Sequence, residues 1–126
     1  MEKLALVCLG GALGSGARYL VGQWSTAKLG AGFPWGTLAV NLLGSFAIAL
    51  VLEASSARVD FSYNLRLFLT TGILGGFTTY SAFNQETLTY FQGGETAKAL
   101  LYAATTLLAC LAAGFAGLSA GRALVG

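Results

Sequence analysis

The stretch Thr70–Phe91, TTGILGGFTTYSAFNQETLTYF, decides how the rest of the chain is read. It sets a Gly-Gly pair, Thr78, Thr79 and Ser81 in quick succession, and a run of aromatics inside a segment that otherwise has the apolar character of a membrane-embedded one. A helix facing only lipid would be filled with Leu, Ile and Val. Gly75-Gly76 weakens the helix beside those hydroxyls, and a break there frees main-chain carbonyls that can hold an ion. Non-helical backbone at membrane depth is tolerated only where it is buried in protein or lines a wet cavity. The stretch therefore points to a pore or an ion site.

The surrounding chain supplies the housing. Its 126 residues form one domain, 1–126, and are 56% hydrophobic and only 10% charged, with a mean hydropathy of +0.71. A soluble domain carries about 25% charged residues. Four stretches are nearly free of charge: Leu4–Ala17, continuing past Arg18 to Ala27; Leu29–Leu52; Leu67–Gln85; and Ala99–Gly121. Each approaches the roughly 20 apolar residues that cross a bilayer. The expected fold class is an all-α membrane protein of four transmembrane helices, the third broken at Gly75-Gly76. Lys3 followed by LALVCLGGALGSG has the outline of a signal peptide, but only further spans follow, so it is read as a first helix that stays in the protein.

Charge placement bears on topology. With four spans, Lys3, Arg58, Arg66 and Arg122 fall on one side, Lys28 and Lys98 on the other, and Arg18 within the first helix. Orientation follows the Lys/Arg bias of short loops, and this bias scarcely chooses. Insertion in both orientations, and an antiparallel dimer of identical chains, is the expectation. The net charge of +2 is too small to suggest nucleic acid, the absence of His argues against a transition-metal cluster, and Cys8 and Cys110 read as small buried hydrophobes.

Within the first span, Gly10 and Gly14 have the spacing that lets two membrane helices approach closely. Arg18 is costly at depth and must pair, bind a carbonyl, or snorkel to the interface. Thr26–Pro34 reads as a loop flanked by the interfacial anchors Trp24 and Trp35. In the second span Thr37, Asn41 and Ser45 recur every four residues and share one helix face. An amide in hydrocarbon must find partners, so the stripe faces protein or water; one polar residue would suffice as glue between helices, and three favour a pathway. Glu53–Arg66 reads as a solvated connection without chemistry. Tyr80 and Phe83 face roughly the same way, and an aromatic ring's edge is positive where its face is negative. Glu86 follows one turn later, at a pore mouth or interface. Gly93-Gly94 marks a turn, and Tyr102 and Thr106 extend the polar line along the fourth span.

The segments GGALGSGARY, PWGTLAVNLLGSF and GILGGFTTYSAFNQE, in that order and over essentially the whole chain, resemble the CrcB/Fluc fluoride channel family. The resemblance implies a dual-topology homodimer in the bacterial inner membrane, with two fluoride pathways and a role in fluoride resistance. It implies that Asn41 lines a pathway, that Phe83 belongs to the bordering aromatic pair, and that Ser81, Tyr102 and Thr106 match polar pore-lining positions; Thr37 joins them through its stripe with Asn41. It further implies that main-chain carbonyls of Gly75 and Thr78 hold a structural sodium ion at the dimer centre, and that Arg18 matches a first-span arginine. The chain departs from the family where Tyr80 replaces the usual Phe, and where Ala82 replaces a second Thr or Ser. Fluoride is small and strongly hydrated, so a pore must replace its water with donors while still releasing it. No ATP-binding motif or catalytic constellation is present, so the chain is not read as an enzyme. A small four-span multidrug exporter would need a membrane-embedded acid in the first span, where this chain has Arg18. A non-transporting accessory protein leaves the Asn41 stripe and the glycine pair without a purpose.

Overall fold

The computed structural model describes Met1–Gly126 and contains helices and no strands. Helix α1 (Glu2–Leu29) is followed by a short loop, α2 (Trp35–Ser56), the single turn α3 (Tyr63–Leu67), a π-helical segment (Phe68–Leu74), the turn α4 (Gly75–Phe77), α5 (Tyr80–Gln92) and α6 (Thr96–Val125). α1, α2 and α6 are each long and apolar enough to cross a membrane. The fourth expected span is assembled from pieces, α3 to α5, none of which is long enough by itself.

The break expected at Gly75-Gly76 is not found there. Both glycines are helical, and the chain instead turns extended at Thr78 (φ −81°, ψ 158°) and Thr79 (φ −153°, ψ 117°) before α5 begins. Packing explains the shift. A Cβ on Gly76 would lie 2.5 Å from the Gly11 carbonyl oxygen, so Gly76 serves close approach to α1 rather than helix breaking. The β-branched Thr78 and Thr79 accept extended backbone readily, and Thr79 then starts α5 by accepting a hydrogen bond from the Ala82 N–H at 3.2 Å.

α1 seats its glycines on the π-helical segment. Gly10 lies against the backbone of Gly72, and Gly14 against that of Ile73, so the expected small-residue seam is present. α2 packs most extensively on α6, where Gly117 meets the Phe46 backbone and Gly121 lies against Glu53. α1 extends through Leu29, so the first connection is Gly30–Pro34 rather than Thr26–Pro34. Likewise α2 runs through Ser56, and Glu53, read as part of a solvated loop, accepts a 3.1 Å hydrogen bond from Arg122 Nε. The turn at Gly93-Gly94 is as expected, with Gly94 at φ 76°, a conformation costly for other residues.

Much of the apolar surface faces outward: Leu13, Leu20, Leu107, Leu108 and Phe115 are each more than half exposed. Only 15 of the 126 residues are buried, and among them the hydrophobic ones are Val40, Ala99 and Tyr102. An inside this small with an outside this apolar suits lipid or another protein surface, not water.

Candidate functional site

The interruption at Thr78–Thr79 is held open by Asn41 from α2. Its Nδ2 donates to the Thr79 carbonyl at 3.0 Å, and its Oδ1 accepts from the Thr79 N–H at 2.8 Å. The amide thus replaces the backbone partner that the Thr79 N–H would have had in a continuous helix and adds a donor to the carbonyl that begins α5. The neutral amide still has a second N–H on Nδ2, and Asn41 lines the groove described below.

Rerouting these donors strands carbonyls. The Thr79 N–H, the ordinary i+4 partner of the Gly75 carbonyl, goes to Asn41. The Ala82 N–H, which would serve the Thr78 carbonyl, goes to the Thr79 hydroxyl. Gly76 is compensated: its carbonyl accepts from Arg18 Nε at 3.0 Å and from Ser15 Oγ at 3.5 Å. Of the alternatives open to Arg18 from sequence, binding a carbonyl is the one realised. The Gly75, Phe77 and Thr78 carbonyls are left without helical donors.

A groove of about 620 Å³ opens beside the break, floored by Asn41, Ser45, Thr78 and Thr79 and walled by Phe83, Thr106, Leu107 and Cys110. Thr106 is 8% exposed and its Oγ1 has no hydrogen-bond partner. A buried hydroxyl normally finds one; this one is enclosed and unpaired on a residue that lines the groove. Tyr80 stands at the edge, 79% exposed, its ring 5.6 Å from Phe83 in an edge-on arrangement. Both bonded atoms of the Asn41 amide are turned to Thr79, and Tyr80 does not share them.

A second polar cluster lies further along α5. Glu86 accepts from Thr37 Oγ1 at 2.8 Å and from the Tyr102 hydroxyl at 3.0 Å. Tyr102 is fully buried, with Phe83, Phe33 and Tyr90 rings around it at 5.1, 5.3 and 6.3 Å. A smaller cavity of about 120 Å³, lined by Arg18, Thr37 and Thr79 among others, sits on the far side of the break.

The residues singled out from sequence therefore divide. Asn41, Tyr80, Phe83 and Thr106 share the groove; Thr37 and Tyr102 meet at Glu86; Ser81 is exposed and its hydroxyl lies 3.3 Å from Thr79 Oγ1 without lining either cavity. Two residues carry more than sequence reasoning gave them. Thr79 is the pivot of the break, and Glu86 joins α2, α5 and α6. A carboxylate in an apolar stretch was the available signal for Glu86; nothing in the sequence distinguished Thr79 from Thr78.

An all-helical, multi-pass membrane protein with an interrupted helix opening hydroxyls and carbonyls onto a groove is the class that this geometry defines. The chain belongs to the CrcB-like protein (camphor resistance) family, whose model matches residues 5–118. It is 49% identical to the fluoride-specific ion channel FluC of Agrobacterium fabrum over 98% of this chain and 99% of the relative. Against the protein of that name from Thermus thermophilus it is 54% identical over 100% of this chain and 98% of the relative. The corresponding Anaeromyxobacter dehalogenans protein is 53% identical over 92% of both chains.

Proposed function

We propose that the chain is a fluoride-selective passive channel that lets the membrane potential expel cytoplasmic fluoride from a bacterial cell, across the inner membrane. The observation that carries this is the spare Asn41 N–H at a groove bordered by the Phe83 and Tyr80 rings, backed by the unpartnered Thr106 hydroxyl buried just behind its wall. These are donors without a fixed cation. They replace part of fluoride's hydration without the grip of a charged ring, which balances entry against release. HF crosses membranes unaided and dissociates in a less acidic cytoplasm, so a passive path suffices for export. Full-length likeness to proteins named fluoride-specific ion channels supports the same reading.

The working form in this reading is an antiparallel homodimer with two pathways, each third segment crossing the membrane as a broken span. The groove is open on one side and rimmed by exposed Tyr80 and Leu107, a wall that a second copy would complete. The Gly75 and Thr78 carbonyls, freed by Asn41 and Thr79, fit a sodium ion held between the protomers; bound there, it would neutralise the stranded dipoles and lock the break. Protomers carrying a C-terminal reporter should give signal on both faces of the membrane, and a signal confined to one face would refute the antiparallel arrangement.

The test of function is efflux from liposomes loaded with fluoride or chloride. Rapid fluoride efflux with no chloride efflux is expected, and equal or absent fluxes would refute the reading. Thr106→Val removes the hydroxyl at nearly constant volume and should slow fluoride about tenfold, since a hydrogen bond to a charged group contributes about 1.5–3 kcal/mol. Tyr80→Phe should speed it, because a donor that holds fluoride at one point delays release.

A further inference from the structure

Two cations from different elements meet at one aromatic ring. The Lys3 ammonium, on α1, stands 4.8 Å from the centre of the Tyr63 ring on α3, and the Arg66 guanidinium carbon, also on α3, stands 5.6 Å from it. Asn64 ties the two elements together by donating from Nδ2 to Glu2 at 3.0 Å. Like charges gathered this closely repel unless an anion lies by them. No carboxylate of the chain does this, for its ion pairs are Lys98 with Glu95 and Arg122 with Glu53. Lys3 and Tyr63 are exposed and Arg66 is half-buried. Chain position fixes their depth. Lys3 directly precedes the apolar stretch that starts at Leu4, and Arg66 the one that starts at Leu67. Both cations therefore sit where hydrocarbon gives way to lipid phosphate, the level at which tyrosine rings gather. Leu4 and Leu65 beside them are exposed and offer apolar contact to acyl chains.

We propose that Lys3, Tyr63 and Arg66 form a binding site for the headgroup phosphate of an anionic phospholipid of the phosphatidylglycerol class. The guanidinium fork takes two phosphate oxygens and the ammonium serves as a point charge for another. The ring holds both cations near each other through its negative face. A zwitterionic headgroup brings an ammonium of its own, which the two cations repel; a glycerol headgroup brings none. The site rests on the multi-pass membrane character of the chain and not on the channel reading. In the antiparallel dimer proposed above, its two copies would face opposite leaflets, and that consequence alone rests on that reading.

The full chain in detergent, titrated with dilauroylphosphatidylglycerol or dilauroylphosphatidylcholine and read by native mass spectrometry, tests this. Phosphatidylglycerol adducts should exceed phosphatidylcholine adducts at equal concentration. Lys3→Gln combined with Arg66→Gln should weaken the phosphatidylglycerol adduct about twentyfold, since each basic group near a membrane surface contributes about fivefold. Lys28→Gln combined with Lys98→Gln removes the same charge from the other end of the bundle and should leave the adduct unchanged. Tyr63→Leu keeps every charge and should weaken it about threefold, the scale of an exposed cation–π contact. Lys3→Gln alone, at an exposed position, still reads about fivefold if Arg66 proves necessary for folding. Equal losses in the two double variants, or equal adducts with the two lipids, would overturn the site. Displacement of phosphatidylglycerol by inorganic phosphate at equal concentration would overturn it as well, because the ligand would then be a free ion and not a lipid.

Discussion

Asn41→Ala should reduce fluoride efflux by about ten- to a hundredfold, the range spanned by losing one to two hydrogen-bond equivalents at an ionic site. The amide does two things at once. It supplies the acceptor that the Thr79 N–H lacks in its extended conformation, at 2.8 Å, adds a donor to the Thr79 carbonyl at 3.0 Å, and leaves a second N–H beside the groove. Alanine removes all three and strands the Thr79 N–H, while the Thr79 carbonyl keeps only its bond at the start of α5. Leaving a buried backbone group unpaired costs about 1–3 kcal/mol, and water entering from the open groove offsets part of that. The protein should therefore fold and reach the membrane while the Thr78–Thr79 joint loses its fixed geometry. The measurement is initial fluoride efflux at equal reconstituted protein density, with the melting temperature taken in parallel. Normal efflux with a lowered melting temperature would reduce Asn41 to a brace for the break.

Gly14→Ala should have the largest effect on folding. A methyl at Gly14 would run into the Ile73 carbonyl and the Phe77 backbone N, which are main chain and cannot rotate aside. α1 would have to move off the π-helical segment and α4, undoing the neighbouring close approaches of Gly10 to Gly72 and Gly11 to Gly76. Overpacking costs about 1–3 kcal/mol for a single methylene where side chains can adjust, and occasionally more; between two backbones the upper part of the range is expected. Loss of the folded protein from detergent extracts, seen as an aggregate on size exclusion, is the expected result. Gly11→Ala is the control, because nothing lies within 4 Å of a Cβ there, and it should extract normally. Equal behaviour of the two variants would show that the α1 seam is not what holds the break in place.

The sequence by itself determined the material and the cast. Low charge and four long apolar stretches require a lipid-embedded helical protein, because only internally hydrogen-bonded backbone survives there. The four-residue spacing of Thr37, Asn41 and Ser45 put them on one face before any packing was known, and Asn41 and Ser45 do share the groove. The Gly10–Gly14 seam was legible for the same reason: helical period alone fixes which residues meet a neighbour. Tertiary structure decided where the third segment is interrupted and what each polar group does there. Glycine propensity favoured a break at Gly75-Gly76, a local quantity. The outcome turned on a non-local one, since α1 lies so close that the Gly76 position admits only glycine, and the Asn41 amide from α2 stabilises the extended backbone three residues later. The pairing of Thr37 and Tyr102 on Glu86 was hidden for a like reason. It joins residues 49 and 16 positions away from that carboxylate, on three helices whose rotation about one another is set by packing and by no local pattern.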